Sequence, residues 1–311
     1  MIGPVRGVAT VLAILAVTVV ASCGGGGSED KEEEEKVTLP GLSGLAWLGG
    51  DRFLAVHDAK NPNESDLVRA TILRLPRSLD GIQATALELE WPDPQGESSD
   101  LESADRVPGT NRLLLAESGN DGSEFHRIFL AEQRDDAVRL IEVADWPARI
   151  HNVEGIAVGR AGDRLVFLYA ERAQGEDSTE IAWAELRVDP VLQFGEFRRV
   201  RYASPEPTGP NGRPVSALTV DGSGRLYVAS AFDPRSDSGP YKSFVWRAGR
   251  LRAGPDGPEL VLAREPELLG ALDGFKVESV AVRESGGRMT VLAGTDDENY
   301  GGTLRPLPSA P

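Results

Sequence analysis

Cysteine is almost missing from this chain. Cys23 is the only one in 311 residues, so no intrachain disulfide can form and the fold must rest on an apolar core, for which the length is ample. Histidine is nearly as scarce, with His57, His126 and His151 alone. Without a second cysteine, the nitrogen- and sulfur-rich ligand sets of transition metals are disfavoured. Basic charge is also short: 33 Lys and Arg face 49 Asp and Glu, a formal net charge of −16. Such a balance argues against nucleic acid and against an electrostatic grip on anionic lipid, since both need basic surface. There is no Gly-x-Ser-x-Gly elbow, no P-loop and no dinucleotide fingerprint, which disfavours serine hydrolases and nucleotide enzymes.

Long hydrophobic runs are limited to one, Val8 to Ala21 after the single charge Arg6. It is too short for an ordinary spanning helix and has the form of a signal-peptide core. It ends in Val20-Ala-Ser-Cys23, which resembles the bacterial lipoprotein box, in which the cysteine is lipidated and becomes the mature N-terminus. The expected division is therefore a signal peptide over 1–22, a lipidated Cys23 with a tether over 23–36, and a folded domain over 37–311. By the same resemblance Gly24 after the cysteine implies outer-membrane sorting if the host is Gram-negative. The tether is Gly24 to Ser28 followed by the acidic run Glu29 to Lys36, flexible and self-repelling.

What the chain has in quantity is a repeat. Five copies open at Ser43-Gly-Leu-Ala46, Glu102-Ser-Ala-Asp105, Glu154-Gly-Ile-Ala157, Ser216-Ala-Leu-Thr219 and Glu278-Ser-Val-Ala281. Nine or ten residues later each reaches an Arg with Gly one to three residues before it: Arg52, Arg112, Arg164, Arg225 and Arg288. The spacing (43 to 102, 102 to 154, 154 to 216, 216 to 278) is 52 to 62 residues, which suits a four-stranded propeller blade. The expectation is an all-β propeller of five blades, closed by strands from both ends of the domain, with Lys36 to Leu39 supplying the strand that the fifth unit lacks. The small residue after each opening position (Gly44, Ser103, Gly155, Ala217, Ser279) fits inner strands crowding an axis. A sixth, degenerate blade within Gly254 to Lys276 is the alternative, or a helix around Pro266 to Leu272.

Inner-strand starts and second-strand ends fall on the same face of a blade, and acids occupy both: Glu102, Glu154 and Glu278 at the starts, Asp58, Glu117, Glu171, Asp233 and Asp296 with Asp297 at the ends. Clustered carboxylates need a cation, a base or raised pKa values to coexist. Outside the cytoplasm calcium is the natural ion, because it takes many oxygen ligands in flexible geometry. The candidate ligands are Glu102, Glu154, Glu278, Asp58, Glu117, Glu171 and Asp296. His57 and His151 fall near this rim as candidate bases; an incidental surface histidine is the plainer reading of each. Lys60, Arg172 and Lys276 are candidates for binding an anionic substrate, or equally for pairing with the acids.

The segments Asp100-Leu-Glu-Ser103 with Leu113 to Glu117, and Glu154 to Ala157 with Arg164 to Glu171, resemble the repeats of the bacterial esterase-like phytase propellers. Phe275 to Ala281 with Gly294 to Gly302 is similar to an uncharacterised propeller family of the same kind. The likeness spans most of residues 40–307. It implies a propeller, calcium and hydrolysis of phosphate or other esters, with Glu102, Glu154 and Glu278 as rim ligands. Ser43 and Ser216 depart from Glu at that position. Two functions follow as expectations: a membrane-tethered, monomeric binding or scaffold module, or a calcium-dependent ester hydrolase. A rim of acid–base pairs with no open position would favour the first, and a mixed rim holding metal together with Lys60, Arg172 or Lys276 the second.

Overall fold

The computed structural model describes residues 39–58, 68–75, 81–92, 96–98, 100–120 and 126–307. The signal segment, Cys23, the whole tether and Lys60 lie outside them. The described chain is organised as five antiparallel sheets. The first holds β1 (Gly44–Gly49), β2 (Arg52–Val56), β3 (Ala70–Arg74) and β4 (Gln83–Leu87). The second holds β5 (Leu101–Arg106), β6 (Arg112–Glu117), β7 (Arg127–Arg134) and β8 (Ala137–Asp145).

In the third, β9 (Val153–Ala161), β10 (Arg164–Glu171) and β11 (Thr179–Arg187) are flanked by an outer strand split into β12 (Gln193–Phe194) and β13 (Arg198–Tyr202). The fourth comprises β14 (Gly212–Val220), β15 (Arg225–Phe232), β16 (Lys242–Gly254) and β17 (Gly257–Asp273), and the fifth β18 (Val277–Ser285), β19 (Arg288–Thr295) and β20 (Leu304–Pro306).

The inner strands β1, β5, β9, β14 and β18 pack each on the next, and β18 returns to β1. Burial follows the same ring. Among the described residues there are five apolar clusters, each drawn from two neighbouring sheets, and the last joins Leu42, Leu45 and Phe53 to Ala281, Leu292 and Leu304. Second strands such as Leu113 to Ala116 are buried throughout, because each is covered by a sheet on both faces. This is a five-bladed propeller.

The small inner-strand residues behave as the crowding argument requires. A Cβ on Gly44 would lie 2.7 Å from Ser103 Cα and Ala104 N of the next blade, and one on Gly155 would lie 2.9 Å from Leu218 N. Where serine takes the position, its hydroxyl links blades: Ser103 Oγ accepts from Ile156 N at 2.9 Å and Ser279 Oγ donates to Leu42 O at 2.7 Å.

The alternatives for the fourth unit fall away, and the ring closure is described in part. The segment from Gly254 to Lys276 is neither a sixth blade nor a helix: β17 pairs with β16 from Gly254↔Gly257 to Lys242↔Asp273, making one long outer hairpin of the fourth blade. Pro266 sits in the stretch 263–266, which has no partner in that ladder, so its missing N–H costs no hydrogen bond. At the ring closure, Leu39 alone of the expected closing segment Lys36 to Leu39 is among the described residues, and it bridges Gly302 and accepts its N–H at 2.7 Å.

Candidate functional site

Inner-strand starts and second-strand ends meet at one face, as in Leu101↔Glu117, Gly155↔Ala170 and Val277↔Thr295. At that end the register slips in the second, third and fifth blades, between Leu101 and Ser103, between Ala170 and Glu171, and between Val277 and Ser279. Glu102, Glu154 and Glu278 are each the extra residue of the resulting bulge. A bulge re-aims a side chain out of the normal alternation, and here it leaves three carboxylates buried, at 4%, 1% and 5% exposure.

On the side of blades three to five these acids are neutralised. Arg213, from the start of β14, lies 3.2 Å from Glu154 and 3.0 Å from Glu278 and also pairs with Asp233. Arg172, just after β10, pairs with Glu154 and stands 3.9 Å from Glu102. Lys276 pairs with Glu278 at 3.0 Å and with Glu298, while its N–H donates to Asp297 at 2.7 Å. Burial pushes the Glu278 carboxyl up, but Lys276, Arg213 and Arg172 outweigh it and hold it at about 2. Burial likewise works against the charge on Arg172 and Arg213, and the surrounding carboxylates still raise both above the usual arginine range. Of the three cations only Arg172 keeps appreciable side-chain exposure, 24% against 3% for Arg213 and 4% for Lys276.

Blades one and two carry a different arrangement. Asp58, Asp100 and Glu102 each direct a carboxylate oxygen to within 4.8 Å of the others. Backbone pairing brings them together, since Asp58 and Asp100 form an antiparallel bridge between the blades. Asp58 N donates to Ser43 Oγ at 3.1 Å, so the serine that replaces Glu in the first repeat orients this acid's backbone. Ser118 Oγ donates to Asp100 Oδ2 at 2.7 Å. Three hard oxygen donors with no nitrogen or sulfur among them suit a calcium-type cation.

The remaining candidates fall elsewhere. Glu117 is buried between β6 and β7, where Arg127 binds it at 2.6 Å through Nη2 and at 2.7 Å through its backbone N–H. Glu171 accepts the His151 N–H at 3.3 Å and lines a cleft of about 420 Å³ with Arg149, Tyr169 and Arg199. His151 is exposed. His57 is buried, its Nδ1 2.6 Å from Gly41 O and its Nε2 2.8 Å from Thr71 Oγ1. Burial lowers its pKa, so it is a neutral strut. Asp296 lies against Gly41, where a Cβ would strike its carboxylate, and burial, then repulsion from Glu278, raises it to about 7.

Arg213 and Asp100 belong to the mouth, although the repeat pattern does not assign them there. A signal existed for the arginine: it precedes Ser216 in the one later repeat that lacks Glu. The blade that omits the acid supplies the cation.

The fold and mouth together define a five-bladed propeller with a mixed-charge axial opening. The chain belongs to the Phytase-like family, described by the esterase-like activity of phytase, whose model matches residues 37–299. Among solved structures it is similar to a thermostable family-43 glycoside hydrolase (15% identity, 88% of this chain and 91% of that one, TM-score 0.54). It is also similar to an exo-1,5-alpha-L-arabinanase from a bovine ruminal metagenomic library (11%, 86% and 92%, TM-score 0.50). At these identities the likeness shows the propeller fold alone. No curated protein matches the chain.

Proposed function

We propose that the chain is a calcium-dependent hydrolase of phosphate esters or related esters, working at the mouth between blades one to three. The observation that carries this reading is the placement of Arg172, a partly exposed guanidinium, 3.9 Å from Glu102 of the Asp58, Asp100 and Glu102 cluster. Those three acids would hold the cation. When bound, such an ion polarises the ester or phosphoryl oxygen and acidifies a water. Arg172 binds the anionic group of the substrate, offsetting repulsion from the surrounding acids. Glu154 fixes the Arg172 guanidinium through Nε, and Arg213 in turn fixes Glu154, so the binding group is preorganised. Membership of a family described by esterase-like activity supports the reaction class.

The neutralised half of the mouth favours a second reading, a binding module in which Arg213 and Lys276 rigidify the loops. In either case we propose that Cys23 carries the lipid that tethers the domain to a cell-envelope membrane, the outer membrane in a Gram-negative host, with the propeller monomeric.

Assays with p-nitrophenyl phosphate and p-nitrophenyl acetate, with calcium and then with excess chelator, separate the two. Turnover that needs calcium and falls at least a hundredfold in Glu102→Gln supports the hydrolase. Turnover indifferent to both, or none on either compound while calcium is still bound, contradicts it and leaves the binding module.

A further inference from the structure

Opposite the mouth, the hairpin of the fifth blade presents a set of side chains that the acidic site does not use. In the β18–β19 ladder Arg283 pairs with Thr290 and Ser285 with Arg288. Residues two apart in a strand, and residues paired across it, share a face, so all four side chains project from one side of the sheet. The four line a cleft of about 630 Å³ whose far wall is Gly50, Asp51 and Leu75 of the first blade. The mouth end of the same strand, Val277, is eight residues from Ser285, or about 26 Å at strand rise.

The charge of this cleft is unusual for so acidic a chain. Among the described residues no carboxylate forms an ion pair with Arg283 or Arg288. The nearest acid in sequence, Glu284, points from the other face and accepts Gly222 N at 2.8 Å. Asp51 at the rim stands 3.9 Å from Arg74. Three turn glycines border the opening: Gly50, Gly286 and Gly287 adopt positive φ with open space where a Cβ would be.

We propose that this cleft is a second ligand site, one that takes a phosphoryl group as inorganic phosphate or a phosphomonoester. Two guanidinium forks with two hydroxyls offer more donors than a carboxylate's two oxygens can use, and they match the three terminal oxygens of a phosphomonoester. The site is separate from the proposed hydrolytic centre and does not depend on it.

The test is a calorimetric titration of the full chain with inorganic phosphate in excess chelator, using wild type, Arg283→Gln, Arg288→Gln and Glu102→Gln. The expected result is one saturable site, weakened about tenfold or more in each arginine variant and unchanged in Glu102→Gln. Arg288 is exposed and Arg283 half-buried, and circular dichroism checks that the variants are folded. No saturable binding to wild type, binding in both arginine variants as tight as in wild type, or loss in Glu102→Gln instead would overturn the proposal. Acetate binding as tightly as phosphate would overturn its phosphoryl specificity.

Discussion

Arg213 binds Glu154 at 3.2 Å and Glu278 at 3.0 Å through the same nitrogen, so one guanidinium from the fourth blade ties carboxylates of the third and fifth. Removing one partner of a buried ion network leaves the others uncompensated, at a typical cost of about 3–5 kcal/mol. Arg213→Met is therefore expected to destabilise the domain by about that amount in denaturant unfolding. Combining it with Glu154→Gln and Glu278→Gln should recover part of the loss, because the stranded charges go with it. An Arg213→Met protein as stable as wild type would show that the network does not hold the mouth together.

The acid limb of stability should report Glu278. Its carboxyl is held at about 2, below its ordinary 4.5, so its contribution is complete above pH 4.5 and is lost as pH falls toward 2. Glu278→Gln is expected to flatten this part of the pH–stability curve, measured by thermal unfolding between pH 2 and 5.

Asp296 acts with the opposite sign. Raised from 3.8 to about 7, it favours the folded state below pH 3.8, and that advantage is lost as pH rises through 7. From pH 5 to pH 8 wild type should lose stability relative to Asp296→Asn, and a parallel decline of the two proteins would contradict the assignment.

The contact between inner strands predicts a steep cost for one methyl group. Gly44→Ala would place Cβ 2.6 Å from Val56 Cγ2 and 2.7 Å from backbone atoms of the next blade. Backbone cannot give way cheaply, so the loss should reach or exceed the 1–3 kcal/mol usual for overpacking. Ser103→Ala, which only removes the acceptor for Ile156 N, should cost about 1 kcal/mol. Chemical denaturation of the two variants checks the ranking.

The repeat made much of the fold legible because its spacing and its small inner residues are both direct consequences of packing around an axis. The fourth blade was harder to read. Pro266 to Leu272 carries apolar residues at spacings that also fit a helix, and only the edge of β16 decides in favour of a strand, by offering Lys242 to Arg247 as partners. At the mouth, the three glutamates could be placed from the repeat, whereas the division between the pairs centred on Arg213 and the cluster of Asp58, Asp100 and Glu102 could not. That division depends on Arg213, which lies three residues before Ser216, and on Asp100, which reaches Asp58 through a bridge between blades. Glu117 met the positional rule and yet faces Arg127 between strands, since the rule fixes the end of a strand and not the direction of a side chain.

The most direct test of the account is a calcium titration of the full chain by calorimetry, comparing wild type with Asp58→Asn, Asp100→Asn, Glu102→Gln and Glu278→Gln. The account predicts one site that is lost or weakened at least tenfold in the first three and kept in Glu278→Gln, whose carboxylate is already neutralised by Lys276 and Arg213. Absence of binding in wild type, or loss in Glu278→Gln with retention in Asp100→Asn, would contradict it.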